Sequence, residues 1–90
     1  MLINLTLYRQ WFEQILAGTK KIEYRDRSER YDKKFQSPFS RSLVKFVNGY
    51  GNHRPWLIAE IDHVEMTDDA WEIHLGKIID SGNLHLLKPD

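Results

Sequence analysis

The chain changes character at Gly18-Thr19-Lys20-Lys21-Ile22-Glu23-Tyr24-Arg25, where a helical pattern gives way to a strand pattern. Upstream, large apolar residues recur at helical spacing from Trp11 to Leu16, which predicts a helix over Arg9–Ala17. Gly18 stands at the position where helices commonly end, because glycine enters the left-handed backbone region without strain. Downstream, residues 20–27 alternate with a period of two, which predicts a strand.

Beyond this stretch, the apolar patterning predicts several more strands in a chain of 90 residues. They are placed at 3–8, 43–47, 56–65, 73–79 and 84–87, with a turn at 81–83 joining the last two. Residues 28–40 are polar and basic and are interpreted mainly as a long connection, with room for a short helix around 29–35. A second short helix, capped by an aspartate, is predicted at 68–71.

So many strands in so short a chain favour a small, partly closed barrel, because closure removes exposed strand edges. Hydrophobic residues make up 41% and charged residues 29% of the chain, as in a folded domain, and the length leaves room for one domain spanning 1–90. The sequence has no cysteine, which excludes disulfides, thiol nucleophiles and cysteine zinc sites. Neither a signal-peptide pattern nor a long apolar run is present, so we expect a cytoplasmic location and no membrane partner.

Charge is unevenly distributed although its sum is zero. Residues 20–45 contain nine basic and four acidic residues, a net charge of +5, whereas residues 46–90 carry a net charge of −5. This asymmetry is compatible with a side that faces a polyanion and equally with two halves that neutralise each other.

Three charged residues stand close together in the opening stretch. Glu23 and Arg25 share one face of a strand with their Cα atoms about 6.6–6.8 Å apart, so they can pair or hold one ligand jointly. The guanidinium of Arg25 suits a phosphate or a base edge, and Lys20 at the strand mouth can meet a phosphate or act as a base if it is desolvated. On the residues alone, a purely structural ion-pair network is the simpler interpretation.

Read as a spacing, the stretch is G-x-K-x-x-E-x-R, and here the chain resembles the ASCH domains, small barrels similar to the PUA domains. Residues 46–50, followed by the extended segment 56–65, resemble the matching part of some members of that family. The Gly-Asp turn that many other members have before the strand at 56–65 is lacking. The resemblance implies an α+β fold, a small PUA-like β-barrel of five to six strands with one or two short helices. It also implies a cleft lined by Lys20, Glu23 and Arg25 that binds RNA or a modified nucleotide.

Cations and aromatic residues are interleaved through the basic segment, a composition that suits single-stranded RNA because cations contact phosphates and aromatic faces stack on bases. The candidate binding residues here are Arg27, Tyr31, Lys33, Lys34 and Arg41. The alternative is a solvated segment whose aromatic residues, Phe35 and Phe39 above all, dock on the barrel.

The same cleft has a catalytic alternative. Some ASCH-type amidohydrolases use a lysine, a hydroxyl residue and a glutamate, so the resemblance implies Lys20 and Glu23 as candidate catalytic residues, with Glu65 as a possible third member. The substrate would be an N4-acetylcytidine-type nucleoside; a small ribonuclease is a related alternative, with Tyr24 or Glu23 moving protons. Glu23 stands where those hydrolases have their hydroxyl residue, which weakens the catalytic interpretation.

The four histidines show none of the spacings of helical zinc motifs. The sequence therefore predicts no metal site and no cofactor.

Overall fold

The computed structural model describes residues 2–36 and 42–87. Within these ranges the chain is α+β, a five-stranded half-barrel sheet with two α-helices. The elements are β1 (Leu2–Leu7), α1 (Arg9–Ala17), β2 (Ile22–Asp26), α2 (Glu29–Phe35), β3 (Leu43–Asn48), β4 (Trp56–Met66), β5 (Ala70–Gly82) and a 3₁₀ helix at Leu84–Leu87. No helix among the described residues is long and apolar enough to span a membrane.

The first helix is confirmed at its predicted bounds, and its end positions the candidate site. Gly18 adopts φ of 81° and its N–H donates to the carbonyl of Ile15 at 3.0 Å. The N–H groups of Thr19 and Lys20 donate to the carbonyl of Gln14 at 3.0 and 3.1 Å. These bonds satisfy the last carbonyls of the helix and turn the chain directly into β2. Lys20 is thereby held at the entrance of that strand.

The strands follow the order β1-β3-β4-β5-β2. The β1–β3 pair is parallel and the other three pairs are antiparallel. The two edges of the sheet are therefore β1 and β2, the strands that flank α1 in sequence. Since a curved sheet brings its edges toward each other, the strand carrying Glu23 and Arg25 comes to face β1.

Both helices and four of the strands, β1, β3, β4 and β5, contribute side chains to one buried apolar cluster. Alternate residues of these strands point into it, as the period-two patterns predict. Its largest fully buried members are Phe12, Phe46, Leu57, Ile73 and Val44. Phe35 of α2 is also buried there, which confirms the expectation that it belongs to the core.

Interpreting residues 28–40 mainly as a connection is wrong, whereas the short helix for which they leave room around 29–35 is confirmed as α2, Glu29–Phe35. The Ser28 hydroxyl accepts from the N–H of Tyr31 at 3.3 Å, so a capping side chain starts the helix. Acidic residues in its first turn and lysines in its last turn stabilise the helix through favourable interactions with its dipole. Residues 37–40, at the end of that segment, lie outside the described residues.

Two predictions for the last third of the chain are also wrong. Instead of a helix at 68–71 there is a tight turn, because the Thr67 hydroxyl accepts from the N–H groups of Asp69 and Ala70 at 3.3 and 2.9 Å. Instead of two closing strands joined at 81–83, β5 is one strand of 13 residues that pairs with β4 along its length. Residues Leu84–Leu87 form a 3₁₀ helix that follows Asn83, whose φ is 57°.

Candidate ligand-binding cleft

Glu23 is the buried centre of the candidate site. It pairs in register with Ile73, which is fully buried, so its carboxylate lies on the concave face of the sheet. Only 6% of Glu23 is exposed. A buried carboxylate is tolerated only when it is paired and hydrogen-bonded, and the site supplies both conditions.

Two cations neutralise this carboxylate. Arg25 reaches one oxygen, Oε2, with Nε at 2.9 Å and Nη2 at 2.8 Å. The ammonium of Lys20 lies 3.6 Å from the other oxygen, Oε1. The structure thus brings Lys20, Glu23 and Arg25 together as the sequence pattern indicates, and the ion-pair network is real.

Arg25 also connects the two edges of the sheet. Its Nη2 donates to the backbone carbonyl of Thr6 in β1 at 2.8 Å, and its Nη1 donates to the hydroxyl of Tyr31 in α2 at 3.0 Å. Because β1 and β2 do not pair, this guanidinium supplies the polar link where the sheet stays open. Arg25 is therefore first a structural residue, and its planar fork explains why a lysine would not serve here.

Lys20 is held in a different kind of environment. Its ammonium donates to the carbonyl of Ile22 at 2.6 Å and lies 5.5 Å from the Trp11 ring centroid and 5.2 Å from that of Tyr24. Two aromatic faces beside one cation are a cation–π arrangement. An ammonium group has three hydrogens, so one remains for a ligand after Ile22 and Glu23 are counted.

Two clefts meet at the pair of rings formed by Trp11 and Tyr24. The first, here called the seam cleft, has a volume of about 230 Å³ and lies between β1 and β2, with Glu23, Arg25 and Tyr31 in its lining. The second, here called the lysine cleft, has a volume of about 500 Å³ and is lined by Lys20, Lys21 and the end of α1. An aromatic wall thus separates a pocket with a buried acid from a pocket with two lysines.

The rim of the seam cleft contains three aromatic residues, of which the sequence singles out Tyr24 alone, as a proton carrier of the ribonuclease alternative. Tyr8 is 80% exposed, Trp11 is 39% exposed and Tyr24 is 52% exposed, and all three line the cleft. Trp11 was assigned only to the apolar face of α1, although it stands at the margin of that face. Sequence periodicity does not show that these rings surround one cleft. They come together only because the fold places β1 beside β2.

Arg27, the first of the basic residues downstream, forms ionic and hydrogen-bonding contacts within the fold. Arg27 forms a bidentate pair with Asp32, at 2.9 and 3.2 Å, and donates to the carbonyl of Thr67 at 2.9 Å. The indole N–H of Trp71 donates to the same carboxylate at 2.7 Å. The hydrogen bond with Asp32 raises the pKa of Arg27, and the hydrogen bonds from Arg27 and Trp71 hold the pKa of Asp32 below its usual value against the opposing effect of burial. The Arg27 guanidinium thus ties β2, α2 and the β4–β5 turn together.

The other predicted binding residues are spread over α2. Tyr31 is half-buried, stacks on Phe35 with ring centroids 5.9 Å apart, and forms one wall of the seam cleft. Lys33 is exposed and pairs with Glu29 at 3.3 Å. Lys34 is partly buried, and Arg41 lies outside the described residues.

Glu65, the possible third catalytic residue, is not brought to Lys20. It pairs in register with Glu72, and Glu72 pairs with Tyr24, so all three lie on the convex face, opposite Glu23. Its carboxylate instead contacts His63 and His74, at 3.1 and 3.8 Å. The β-strand register, which sequence alone does not give, decides this placement.

No protein-family model matches the sequence, and no curated protein or solved structure matches it significantly.

Proposed function

We propose that this chain binds single-stranded RNA or a nucleotide, with one base in the seam cleft and its phosphate in the lysine cleft. The observation that carries the proposal is the wall of Trp11 and Tyr24, which both clefts share. Aromatic faces stack on bases of any sequence, and lysines attract phosphates, so the two clefts together match the two ends of a nucleotide. The G-x-K-x-x-E-x-R spacing and the resemblance to the ASCH and PUA-like barrels support the same role.

The size of the seam cleft supports one planar group rather than a larger ligand. Pockets for drug-sized molecules have volumes of about 300–1,000 Å³, and this cleft, at about 230 Å³, lies below that range. Tyr31 forms one wall of the cleft without filling it, and a space of about 230 Å³ lies beside its ring.

The hydrogen-bonding groups of the seam cleft favour a base with an exocyclic amino group. Glu23, Tyr31 and Thr6 engage four of the five N–H donors of Arg25. Among the described residues, Oε1 of Glu23 faces the Lys20 ammonium at 3.6 Å, beyond hydrogen-bond length, and retains acceptor capacity. Carboxylates accept from the amino group of cytosine. We therefore propose cytidine, or a modified cytidine, as the preferred nucleoside. The cytoplasmic location of the protein stays a prediction.

A hydrolase is the second candidate, and the proximity of Lys20 and Glu23 favours it. The Lys20 ammonium and the Glu23 carboxylate lie 3.6 Å apart, so one bound water or substrate group can reach both, as a general acid–base pair requires. On this alternative, water attacks the acyl carbon of an N4-acylated cytidine, the bond from that carbon to N4 breaks, and N4 leaves as an amine after taking a proton. The products are acetate and cytidine, so the reaction is distinguishable from binding in a single sample.

The test is a binding titration with a fluorescently labelled single-stranded RNA that contains one N4-acetylated cytidine, followed by analysis for acetate. Wild type is compared with Lys20→Ala and with Lys77→Ala, a matched control in which an exposed lysine outside the linings of both clefts is removed. Binding that weakens with Lys20→Ala but not with Lys77→Ala supports the proposal. Acetate release that disappears with Lys20→Ala establishes the hydrolase, and the absence of binding and of acetate overturns both.

A further inference from the structure

We propose a second site, independent of the nucleotide clefts, in which His63, His74 and Glu65 bind a divalent transition metal ion, with Glu72 as a fourth ligand. It lies on the convex face of the β4–β5 hairpin. Among the residues that the structure describes, the side chains of His63, Glu65 and His74 form a group whose ligand atoms all lie within 4.8 Å of one another.

A β-bulge creates the group. Along β4 the register shifts between Ile61 and His63, so that Asp62 is an extra residue opposite β5. Ile61 is buried, and strict alternation would therefore turn His63 toward the core as well. The extra residue instead places His63 on the convex face, directly opposite His74 in the register.

The next residues on that face complete the ligand set. Glu65 pairs with Glu72 in the register, two positions along from the histidine pair. Oε1 of Glu65 lies 3.1 Å from Nε2 of His63, and Oε1 of Glu72 lies 3.3 Å from Nε2 of His74. Tetrahedral ligands at about 2.0–2.1 Å from Zn²⁺ are about 3.4 Å apart, so both contacts already have the required spacing.

His63, Glu65 and His74 need little adjustment to share one ion, whereas Glu72 lies outside their group and must turn toward it. Oε2 of Glu65 lies 3.8 Å from Nε2 of His74, and the two imidazole rings stack with centroids 4.0 Å apart. The side chain of His63 is 47% exposed, and that of Glu65 is 55% exposed, so rotation of either meets little packing resistance. A metal ion can enter from solvent and bind these groups in their deprotonated forms.

Asp62 supplies an independent feature of metal sites. Its carboxylate lies 2.8 Å from Nδ1 of His63, the ring nitrogen away from the ligand cluster. Histidines that bind metals commonly donate their second ring N–H to a carboxylate, which fixes the tautomer and strengthens the ligand nitrogen. The bulge therefore supplies both the orientation of His63 and its supporting carboxylate.

The donor set selects the class of ion. Two imidazole nitrogens favour Zn²⁺ and similar transition metals over Mg²⁺ and Ca²⁺, which prefer oxygen ligands. Two carboxylates balance the charge of a divalent cation. The sequence spacings typical of zinc sites on one helix do not reveal this arrangement. The two histidines lie on different strands and become neighbours only when β4 pairs with β5.

The experiment is a titration of the full chain with Zn²⁺, and separately with Mg²⁺, followed by calorimetry and by NMR of the histidine side chains. We expect one Zn²⁺ per chain with a Kd in the micromolar range or below, shifts of the His63 and His74 imidazole resonances, and no such shifts with Mg²⁺. His63→Ala, His74→Ala and Glu65→Gln should each weaken Zn²⁺ binding by about tenfold or more.

His85→Ala is the matched control, since this exposed histidine lies on the 3₁₀ helix and outside the ligand group. It should leave Zn²⁺ affinity unchanged, and the amide spectrum of every variant verifies that the fold is retained. The proposal is overturned if Zn²⁺ shifts neither His63 nor His74, or if His85→Ala weakens binding as much as His63→Ala does. Because RNA binding is measured without metal, failure here leaves the nucleotide proposal intact.

Discussion

Arg25 on β2 donates through Nη2 to the backbone carbonyl of Thr6 on β1 at 2.8 Å, and so joins the two sheet edges that do not pair with each other. The same guanidinium holds the buried carboxylate of Glu23. One side chain therefore closes the open side of the half-barrel and also forms the floor of the seam cleft. Stability and the candidate function share this residue, and the two roles need different tests.

Arg25→Ala should lower the free energy of unfolding by about 2–4 kcal/mol, because it leaves Glu23 buried with only one cation and leaves the Thr6 carbonyl without its donor. Urea denaturation measures the change. Lys33→Ala is the control, since it breaks an exposed pair and should cost no more than about 0.5 kcal/mol. Equal losses from the two substitutions would show that Arg25 does not join the edges.

Asp32 predicts a specific dependence of stability on pH. Its pKa is held below the usual value by hydrogen bonds from Arg27 and Trp71, so its contribution is present above the pKa of an unfolded aspartate and is lost as pH falls through the depressed folded-state value. Asp32→Asn should lower the urea midpoint at neutral pH, and the difference from wild type should shrink in acid. A difference that stays constant down to acidic pH would contradict this assignment.

Gly82 tests the packing at the far end of the β4–β5 pair. A Cβ atom added there would lie 2.5 Å from the indole of Trp56, whose ring also faces the ammonium of Lys45 at 4.8 Å. Gly82→Ala should therefore displace the indole and destabilise the fold by about 1–3 kcal/mol. At Gly76 the added atom would lie 3.3 Å from its nearest neighbour, so Gly76→Ala should stay within about 1 kcal/mol of wild type. Chemical denaturation followed by tryptophan fluorescence compares the stabilities of the two variants. A Gly82→Ala variant as stable as wild type would show that the Trp56 indole does not pack closely against residue 82.

Aromatic stacking is the expected main source of RNA affinity. Trp11→Ala and Tyr24→Ala should each cost about 1–3 kcal/mol of binding free energy, the range measured for one stacked base. Tyr50→Ala is the matched control, because that ring is 88% exposed and lies outside both clefts. Fluorescence anisotropy at constant salt measures the affinity. If Tyr50→Ala lowers RNA affinity as much as Trp11→Ala does, RNA does not bind in the two clefts.

The lysine cleft predicts a modest salt dependence. If Lys20 and Lys21 neutralise one or two phosphates, the logarithm of the RNA affinity should fall with the logarithm of salt concentration with a slope of about −0.7 to −1.4. Lys20→Ala should reduce that slope by about 0.7. An affinity that is independent of salt, or a slope unchanged by Lys20→Ala, would place the phosphate elsewhere.

The sequence was sufficient for the local features and insufficient for those that depend on register. The bounds of α1, the end at Gly18 and the shared face of Glu23 and Arg25 all follow from local periodicity, and the structure confirms them. The polar composition of residues 28–40 favours a connection with room for a short helix, and the structure shows that helix as α2, capped by Ser28.

Long-range pairing explains what sequence analysis missed. The separation of Glu65 from Lys20 and the meeting of His63 with His74 both depend on the β4–β5 register and its bulge. A bulge shifts every later side chain to the other face, and no pattern in a single strand specifies where it falls. Tyr8 likewise became a cleft residue only because β1 and β2 face each other.

NMR titration of isotope-labelled protein with a short single-stranded RNA shows whether a nucleotide lies across the wall of Trp11 and Tyr24. We expect amide and side-chain shifts concentrated at residues 6–8, 11 and 18–25, with Tyr50 and its neighbours unaffected. Shifts confined to surfaces outside the two clefts, or no shifts at RNA concentrations that saturate other single-strand binders, would contradict it.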